Sequence, residues 1–239
     1  TFADGHDYCS ILVKTREGRP IKIEGNDLSS VTKGKASARV QASVLGLYDS
    51  ARASRPTANG QPSTWSVIDT DIKSKLSEIS SRGGQIRIVS STIISPSTKA
   101  AIAEFTAKFP TTKHIVYDAI SHYGITSANL ASFGESILPS YHFENAEVIV
   151  GLGCDFLSNW ILPTQHALQY AQTRKINKTK KSMSRHFQFE GNLTLTGSNA
   201  DVRVRVKPRE MGSTLISLYN QIASKAGQPT LSGAKSSVE

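Results

Sequence analysis

Residues 146–163, AEVIVGLGCDFLSNWILP, have the pattern of a buried strand followed by a glycine turn and a helix. The run from Val148 to Val150 is β-branched and apolar, which is typical of a covered strand. Gly151 and Gly153 remove side chains where the backbone must approach another group closely. In an open α/β sheet, ligands bind beyond the carboxyl ends of parallel strands, and helix N-termini favour anions. An ordinary strand-to-helix turn without a ligand has the same pattern, so both interpretations stay open.

The rest of the chain repeats this alternation of strand and helix. Apolar and polar residues alternate on both sides of Glu17-Gly18 in residues 10–24, which predicts a β-hairpin. Further strand-like segments lie at 85–90, 114–117, 186–190 and 202–206, and helical periods lie at 36–53, 68–79, 96–109, 124–133, 160–173 and 215–222. Asp69 or Ser66 is the expected N-cap of the helix at 68–79.

Strands that alternate with helices of this length predict βαβ units. We therefore expect an α/β fold: an open, mostly parallel Rossmann-like sheet with flanking helices, preceded by a small N-terminal β-hairpin layer. Residues 1–54 are expected to form that layer, and residues 55–239 the α/β domain.

The charge balance suggests an anionic partner. The 239 residues include 28 basic and 19 acidic side chains, which gives a formal net charge of +9, and such an excess favours acidic proteins, membrane surfaces or nucleic acid. Six of the cations lie in residues 174–185. A solvated loop and a docking site for an acidic partner explain this segment equally well. Nucleic acid fits less well because the segment has no aromatic side chain on which bases stack.

Short motifs do not identify an activity. The two cysteines, Cys9 and Cys154, are far apart in the sequence, which argues against a disulfide framework or a site built from several thiolates. The six histidines do not fall at metal-ligand spacings, and neither a G-x-S-x-G elbow nor a Walker loop occurs. No apolar run reaches membrane-spanning length.

A longer pattern is more informative. The predicted hairpin is followed by LYDSARASRP at 47–56, FGESILP at 133–139, AEVIVGLGCDF at 146–156 and LTLTGSNADVRVRVKP at 193–208. This order resembles the molybdopterin-containing oxidoreductases of the bis-guanine-dinucleotide type. The resemblance implies an N-terminal iron-sulfur segment and a later cradle for molybdopterin guanine dinucleotide.

The positions that would hold the iron-sulfur cluster depart from the family. By the resemblance, Cys9 matches the third cluster cysteine. Phe2, Gly5 and Ser37 stand where the other three thiolates would be. Because phenylalanine and glycine offer no iron ligand, Cys9 and Ser37 are expected to be vestigial, and no metal is expected.

The pterin-binding positions of the family fall on Gly153, Asp155, Thr196, Lys207 and Pro208. Asp155 replaces an asparagine and would repel anionic parts of the cofactor. Arg209 replaces a glycine and is expected to fill space that the backbone needs for close approach. The resemblance places the family's metal ligand near residues 117–122, where Ser121 is the single weak candidate for a catalytic role. These positions are therefore expected to be vestigial, with no cofactor in this chain.

A closer resemblance explains these departures together. Residues 2–26, 30–52 and 183–208 resemble the molybdopterin-oxidoreductase-like domain in the large iron-sulfur subunit of alternative complex III, a bacterial quinol:electron-acceptor oxidoreductase. That domain keeps the fold without molybdenum cofactor or its own cluster. The resemblance implies that the chain is a fragment of a longer polypeptide, peripheral on the periplasmic side of the inner membrane. Cytochrome c and integral-membrane quinol-binding subunits would be its partners, without nucleic acid.

Two other functions stay open. One is an active molybdopterin-dependent oxidoreductase domain with Ser121 as the metal ligand. The other is an anionic-surface or nucleic-acid binding module that uses residues 174–185.

Overall fold

The computed structural model describes residues 1–4 and 7–233, and the chain divides into two compact units. Unit 1 consists of Thr1–Leu28 and Ala36–Leu138, and unit 2 consists of Ser29–Lys35 and Pro139–Glu239. The predicted boundary after residue 54 falls within unit 1, and the domains 1–54 and 55–239 stay a prediction.

Unit 1 begins with antiparallel strands. They are β1 (Phe2–Asp4), β2 (Asp7–Cys9), β3 (Ile11–Arg16) and β4 (Arg19–Gly25), paired as β1 with β2 and β3 with β4. Glu17 and Gly18 connect β3 to β4 with φ angles of 51° and 77°, which is the left-handed geometry of a tight two-residue hairpin turn. The predicted hairpin is confirmed.

A short helix completes the small core beside this hairpin. Helix α1 (Ala38–Ala42) leads directly into a 3-10 turn over Ser43–Leu47, so the predicted helical stretch at 36–53 is shorter than expected. Val40 and Val44 from this segment pack with Cys9 and Ile23 in one buried apolar cluster.

The next helix begins at a threonine cap. It follows a short antiparallel pair, β5 (Thr57–Ala58) with β6 (Gln61–Pro62), and is designated α2 (Trp65–Ser81). Thr64 Oγ1 accepts a hydrogen bond from the Val67 N–H at 3.4 Å, which satisfies one of the first free N–H groups of the helix. The predicted caps Asp69 and Ser66 are wrong, because both residues lie inside α2.

The remainder of unit 1 is a parallel βαβ arrangement followed by a helix. Its elements are β7 (Ile86–Ser90), α3 (Pro96–Lys108), β8 (Thr112–Val116) and α4 (Tyr123–Phe133), and β7 pairs with β8 in parallel. Ser95 caps α3 by accepting a hydrogen bond from the Thr98 N–H, and Pro96 occupies the first helical position. These two strands and the proline-initiated helix were predicted and are confirmed.

Unit 2 contains a three-stranded parallel sheet. Its elements are β9 (Val148–Leu152), α5 (Pro163–Arg174), β10 (Arg185–Glu190), α6 (Leu195–Ser198), β11 (Val202–Arg205) and α7 (Met211–Lys225). The strand order is β11-β10-β9, so β10 is central. The predicted strands and the final helix are confirmed. Helix α5 begins at Pro163 rather than near Trp160, so the turn at Gly153 does not lead directly into a helix.

The described residues thus form a mixed α/β fold with seven α-helices and several short parallel and antiparallel sheets. The predicted fold class is confirmed at this level. Within residues 1–4 and 7–233, none of the helices has the length and apolar character needed to cross a bilayer.

Candidate functional site

The turn after β9 lies where the resemblance places the pterin cofactor. Gly153 has φ +69°, a conformation that side chains rarely adopt, and its N–H donates to the Phe189 carbonyl at 2.8 Å. A methyl group placed on Gly153 would meet only the Met211 Cε, at 3.7 Å. The glycine is therefore needed for the backbone turn, since the space above it is open.

Asp155 and Thr196, two of the predicted pterin positions, bind each other. Asp155 Oδ1 accepts hydrogen bonds from the Thr196 N–H at 3.1 Å and from Thr196 Oγ1 at 2.7 Å. Thr196 is fully buried, and its Oγ1 in turn accepts from the Leu157 N–H at 3.0 Å. The structure therefore brings together two residues 41 positions apart, and two donors of Thr196 satisfy Asp155 Oδ1 within the chain.

The other family positions stand apart from this pair. Lys207 is largely exposed, with its ammonium 3.8 Å from a Glu210 carboxylate oxygen, and Pro208 begins a 3-10 turn over Pro208–Glu210. The side chain of Arg209 is 80% exposed. The expectation that Arg209 fills space above the backbone is wrong, because its side chain lies in solvent.

These residues do not fit a pterin dinucleotide. Such a ligand carries phosphates, which need cations or N–H donors that face outward. Asp155 offers a carboxylate in place of a donor, and its Oδ1 is bonded to the N–H and hydroxyl of Thr196. The exposed cations Lys207 and Arg209 lie 3.8 and 4.0 Å from the Glu210 carboxylate, which offsets their attraction for phosphate. No reaction step is therefore derived through that cofactor.

The positions that match the family's iron-sulfur ligands have other roles in the structure. Cys9 is fully buried in the apolar cluster of unit 1, and its Sγ lies 3.7 Å from the Ser10 carbonyl oxygen. Ser37 caps α1, since its Oγ accepts from the Val40 N–H at 3.3 Å. Phe2 packs against the same apolar cluster, and Gly5 lies outside the described residues. Among the described residues, no group of three or more histidine, cysteine, aspartate or glutamate side chains is placed to hold a metal ion.

Ser121 lies in a cavity of unit 1. The cavity measures about 420 Å³ and is lined by Thr92, Val116, Tyr117, Asp118, Ser121, His122, Tyr123, Thr126 and Leu138. It follows the carboxyl ends of β7 and β8, which is the place where open α/β sheets bind ligands. The Ser121 Oγ accepts from the Tyr123 N–H at 3.1 Å. The carboxylate of Asp118 accepts from the backbone N–H of Thr92 at 2.7 Å and is also bonded to the Thr92 hydroxyl.

The buried face of β10 is polar, a feature that sequence reasoning missed. His186, Gln188 and Glu190 are at most 2% exposed. Phe187 and Phe189 lie on the opposite face and are only half-buried. Buried polar groups are costly unless they are hydrogen-bonded, so each of the three needs partners from other elements.

His186 belongs to a row of three polar contacts for which only two hydrogen atoms are available. The Tyr170 hydroxyl donates to the Asn199 carbonyl at 2.9 Å and lies 3.1 Å from His186 Nδ1, while His186 Nε2 lies 3.3 Å from Gln188 Oε1. Because both ends of this row are acceptors, its three contacts need three hydrogens. Tyrosine and a neutral imidazole supply two. Burial lowers the pKa of His186, so the ring is neutral near pH 7 and one contact lacks its hydrogen.

One ion pair joins β10 to β11, and a second joins the end of α5 to the residue before β11. Glu190 accepts from Arg203 Nε at 2.5 Å and from Thr194 Oγ1 at 2.6 Å. Burial alone would raise the pKa of Glu190, but these hydrogen bonds outweigh it and hold the pKa below its usual value. Asp201 accepts from two guanidinium nitrogens of Arg174 at 2.7 and 2.8 Å, and these bonds place the pKa of Asp201 far below its ordinary value.

A second buried histidine lies among aromatic rings. His166 on α5 is 2% exposed, and its ring centroid lies 5.1 Å from that of Phe143 and 5.6 Å from that of Trp160. Burial lowers the pKa of His166 to about 4, although the backbone carbonyls of Trp160 and Phe156 favour the charged ring. Its Nδ1 has no hydrogen-bond partner among residues 1–4 and 7–233.

No protein-family model matches the chain, and no curated protein matches it.

Proposed function

We propose that the chain is a cofactor-less, molybdopterin-oxidoreductase-like scaffold domain of a membrane-associated respiratory quinol:electron-acceptor oxidoreductase of the alternative complex III type. In this proposal the strands belong to an open, mostly parallel Rossmann-like sheet. The domain is peripheral on the periplasmic side of the bacterial inner membrane. Electron-carrying clusters belong to another part of the same polypeptide, and cytochrome c and integral-membrane quinol-binding subunits are its neighbours.

The observation that carries this proposal is the pairing of Asp155 with Thr196. A residue at a pterin position needs a polar group that faces the ligand, whereas the Asp155 carboxylate is bonded to a backbone N–H and a hydroxyl inside unit 2. The strands that make the fold are present on both sides of this pair. A chain needs such strands to fold and needs the ligand-facing groups only to do chemistry.

The ion pairs of unit 2, in which Glu190 is the buried member, support a scaffold role. Arg174 and Asp201 join the end of α5 to the start of β11, and Glu190 and Arg203 join β10 to β11. Polar networks whose members are satisfied favour one arrangement of the elements, because each alternative leaves a buried charge without its partner. Such a fixed geometry suits a domain whose task is to hold its neighbours in place.

Metal and pterin analysis of the purified full chain tests the proposal. We expect molybdenum and tungsten far below one equivalent, and no pterin fluorescence after denaturation. Stoichiometric metal with pterin would contradict the scaffold function.

One observation favours the alternative of an active molybdopterin enzyme: Ser121 lines a cavity at the carboxyl ends of β7 and β8. Ser121→Ala separates the two functions. An active site that uses this hydroxyl as the metal ligand would lose bound metal in the variant, whereas the scaffold predicts equal background metal in both proteins. Thr126→Ala, which changes another hydroxyl in the same cavity, is the matched control.

A further inference from the structure

The segment that joins α5 to β10 is basic, and we designate residues 175–185 the basic loop. Two cations at the end of α5 and in the following segment make polar contacts within unit 2. Arg174, which ends α5, pairs with Asp201. Lys180 donates from its ammonium to the carbonyls of Gln172 at 3.0 Å and Thr173 at 2.8 Å, which lie in the last turn of α5. A cation at a helix C-terminus stabilises the helix, so these two charges have a structural explanation.

The basic loop has a fixed turn at its centre. Asn177 Oδ1 accepts hydrogen bonds from the Thr179 N–H at 2.9 Å, the Thr179 hydroxyl at 2.8 Å and the Lys180 N–H at 2.8 Å. The Asn177 N–H donates to the Lys180 carbonyl at 3.0 Å, which closes the turn. Asparagine side chains commonly build such turns. The loop therefore presents its side chains from an ordered backbone.

Four cations of the basic loop are exposed, and one of them, Arg185 at the start of β10, also lies over the Phe187 ring, 5.0 Å from its centroid. Lys175, Lys178, Lys181 and Arg185 are exposed, and none of them forms an ion pair with a carboxylate in the described part of the chain. Two apolar side chains are exposed among them, Ile176 at 54% and Met183 at 48%. The segment therefore offers both cations and apolar side chains to the surroundings.

We propose that the basic loop docks on the surface of an anionic lipid bilayer. Lysine and arginine near an anionic leaflet are attracted to its lipid headgroups, and exposed aliphatic side chains beside them enter the interface. Nucleic acid fits this surface less well, because residues 175–185 contain no aromatic side chain for base stacking.

The neighbouring cavity is not the anion site. It measures about 510 Å³, lies at the amino ends of β9 and β10, and is lined in part by Lys180 and Met183. Glu144 and Glu147 also line it, so its carboxylates outnumber its cations. The attraction to phosphate groups therefore comes from the exposed lysines and Arg185 and not from the cavity.

The inference rests on the membrane-side location in the proposed function, but its test is separate. Metal and pterin content tests the scaffold, and vesicle binding tests the basic loop. Either result can fail without the other.

The test is co-sedimentation of the full chain with vesicles of phosphatidylglycerol and phosphatidylcholine, compared with vesicles of phosphatidylcholine alone. We expect binding to the anionic vesicles only, weakening as salt rises because exposed charges are screened. The triple variant Lys175→Gln/Lys178→Gln/Lys181→Gln should bind the anionic vesicles roughly 100-fold more weakly, because each cation near the membrane surface contributes about a factor of five to binding. The control Lys73→Gln/Lys99→Gln/Lys113→Gln removes the same charge from exposed positions in unit 1, and it should bind to within about threefold of the wild type if the charge acts locally.

A second variant tests the apolar contribution. Ile176→Ser/Met183→Ser keeps every cation and should lose several-fold in partitioning, most visibly at high salt where screening leaves the apolar contacts. Equal thermal melting of all variants will exclude misfolding as the cause. The proposal is overturned if both lysine triple variants weaken vesicle binding equally, or if the chain binds neutral vesicles as well as anionic ones. It is also overturned if the chain binds duplex DNA or an acidic protein but not vesicles.

Discussion

Lowering the pH should destabilise the protein through His166, and the size of the effect follows from its surroundings. The ring is buried among aromatic side chains, which lowers its pKa from 6.5 to about 4. Between these values the unfolded chain binds a proton that the folded chain does not bind. The free energy of unfolding must therefore fall as pH falls from 6.5 towards 4, and above pH 7 this histidine has no pH-dependent effect.

The magnitude is a few kcal/mol. A difference of about 2.5 pKa units corresponds to a limiting loss of about 3.4 kcal/mol. The same linkage gives a loss of about 1.4 kcal/mol at pH 5.5 and about 2.6 kcal/mol at pH 4.5. His186, whose pKa is also lowered by burial, adds to the loss in the same direction.

The assay is urea denaturation of the wild type and of His166→Phe at pH 7.5, 6.5, 5.5 and 4.5. Phenylalanine fits the aromatic surroundings and does not titrate, so the difference between the two proteins isolates His166 from His186 and the carboxylates. We expect this difference to shift by about 2.5 kcal/mol in favour of the variant between pH 7.5 and pH 4.5. The same pH dependence in both proteins, or an NMR titration of His166 centred near 6.5, would show that His166 is not the source of the loss of stability.

Two further predictions concern stability. Arg203→Met removes a charged partner of the buried Glu190 and should lower the free energy of unfolding by about 3–5 kcal/mol. The control Arg205→Met, at the exposed end of β11, should change the free energy of unfolding by less than about 0.5 kcal/mol. Equal effects of the two variants in urea denaturation would mean that the ion pair is not the cause. Thr64→Ala deletes the hydrogen bond to the Val67 N–H and should lower the free energy of unfolding by about 1 kcal/mol, as measured by thermal denaturation. The control Thr64→Ser keeps the hydroxyl and should retain most of the stability. An equal loss of stability in both variants would argue against the helix cap.

Local chemistry made parts of unit 1 predictable. The hairpin turn needs left-handed backbone at two positions, and the sequence supplies Glu17-Gly18 there. Ser95-Pro96 combines a side-chain cap with the imino acid that suits a first helical position, and α3 begins there. The start of α2 was misplaced because hydroxyl and carboxylate side chains at neighbouring positions are equally able to cap a helix, and only the backbone geometry selects Thr64.

Long-range partners made the site harder to predict. Polar and aromatic residues alternate in β10, a pattern that does not indicate which of the two faces is buried. That outcome depends on Tyr170 and Arg203, which reach His186 and Glu190 from other elements. Ser121 lines the cavity beyond the end of β8, and its role as a metal ligand stays a prediction. The bond between Asp155 and Thr196 joins segments that no local pattern connects.

The pair formed by Asp155 and Thr196 also constrains how this part of the protein can vary. Replacing Asp155 alone leaves the buried N–H and hydroxyl of Thr196 without their acceptor. Replacing Thr196 alone removes the donor hydroxyl that binds Asp155 Oδ1. Each single replacement leaves unsatisfied polar groups at a cost of about 1–3 kcal/mol. Replacing both by apolar residues does not remove this cost, because the backbone N–H groups of Thr196 and Leu157 then lack their acceptors. Homologous chains should therefore keep an acceptor at position 155 and a hydroxyl at position 196, and a mutational path towards an open, ligand-accepting turn must pass through less stable intermediates.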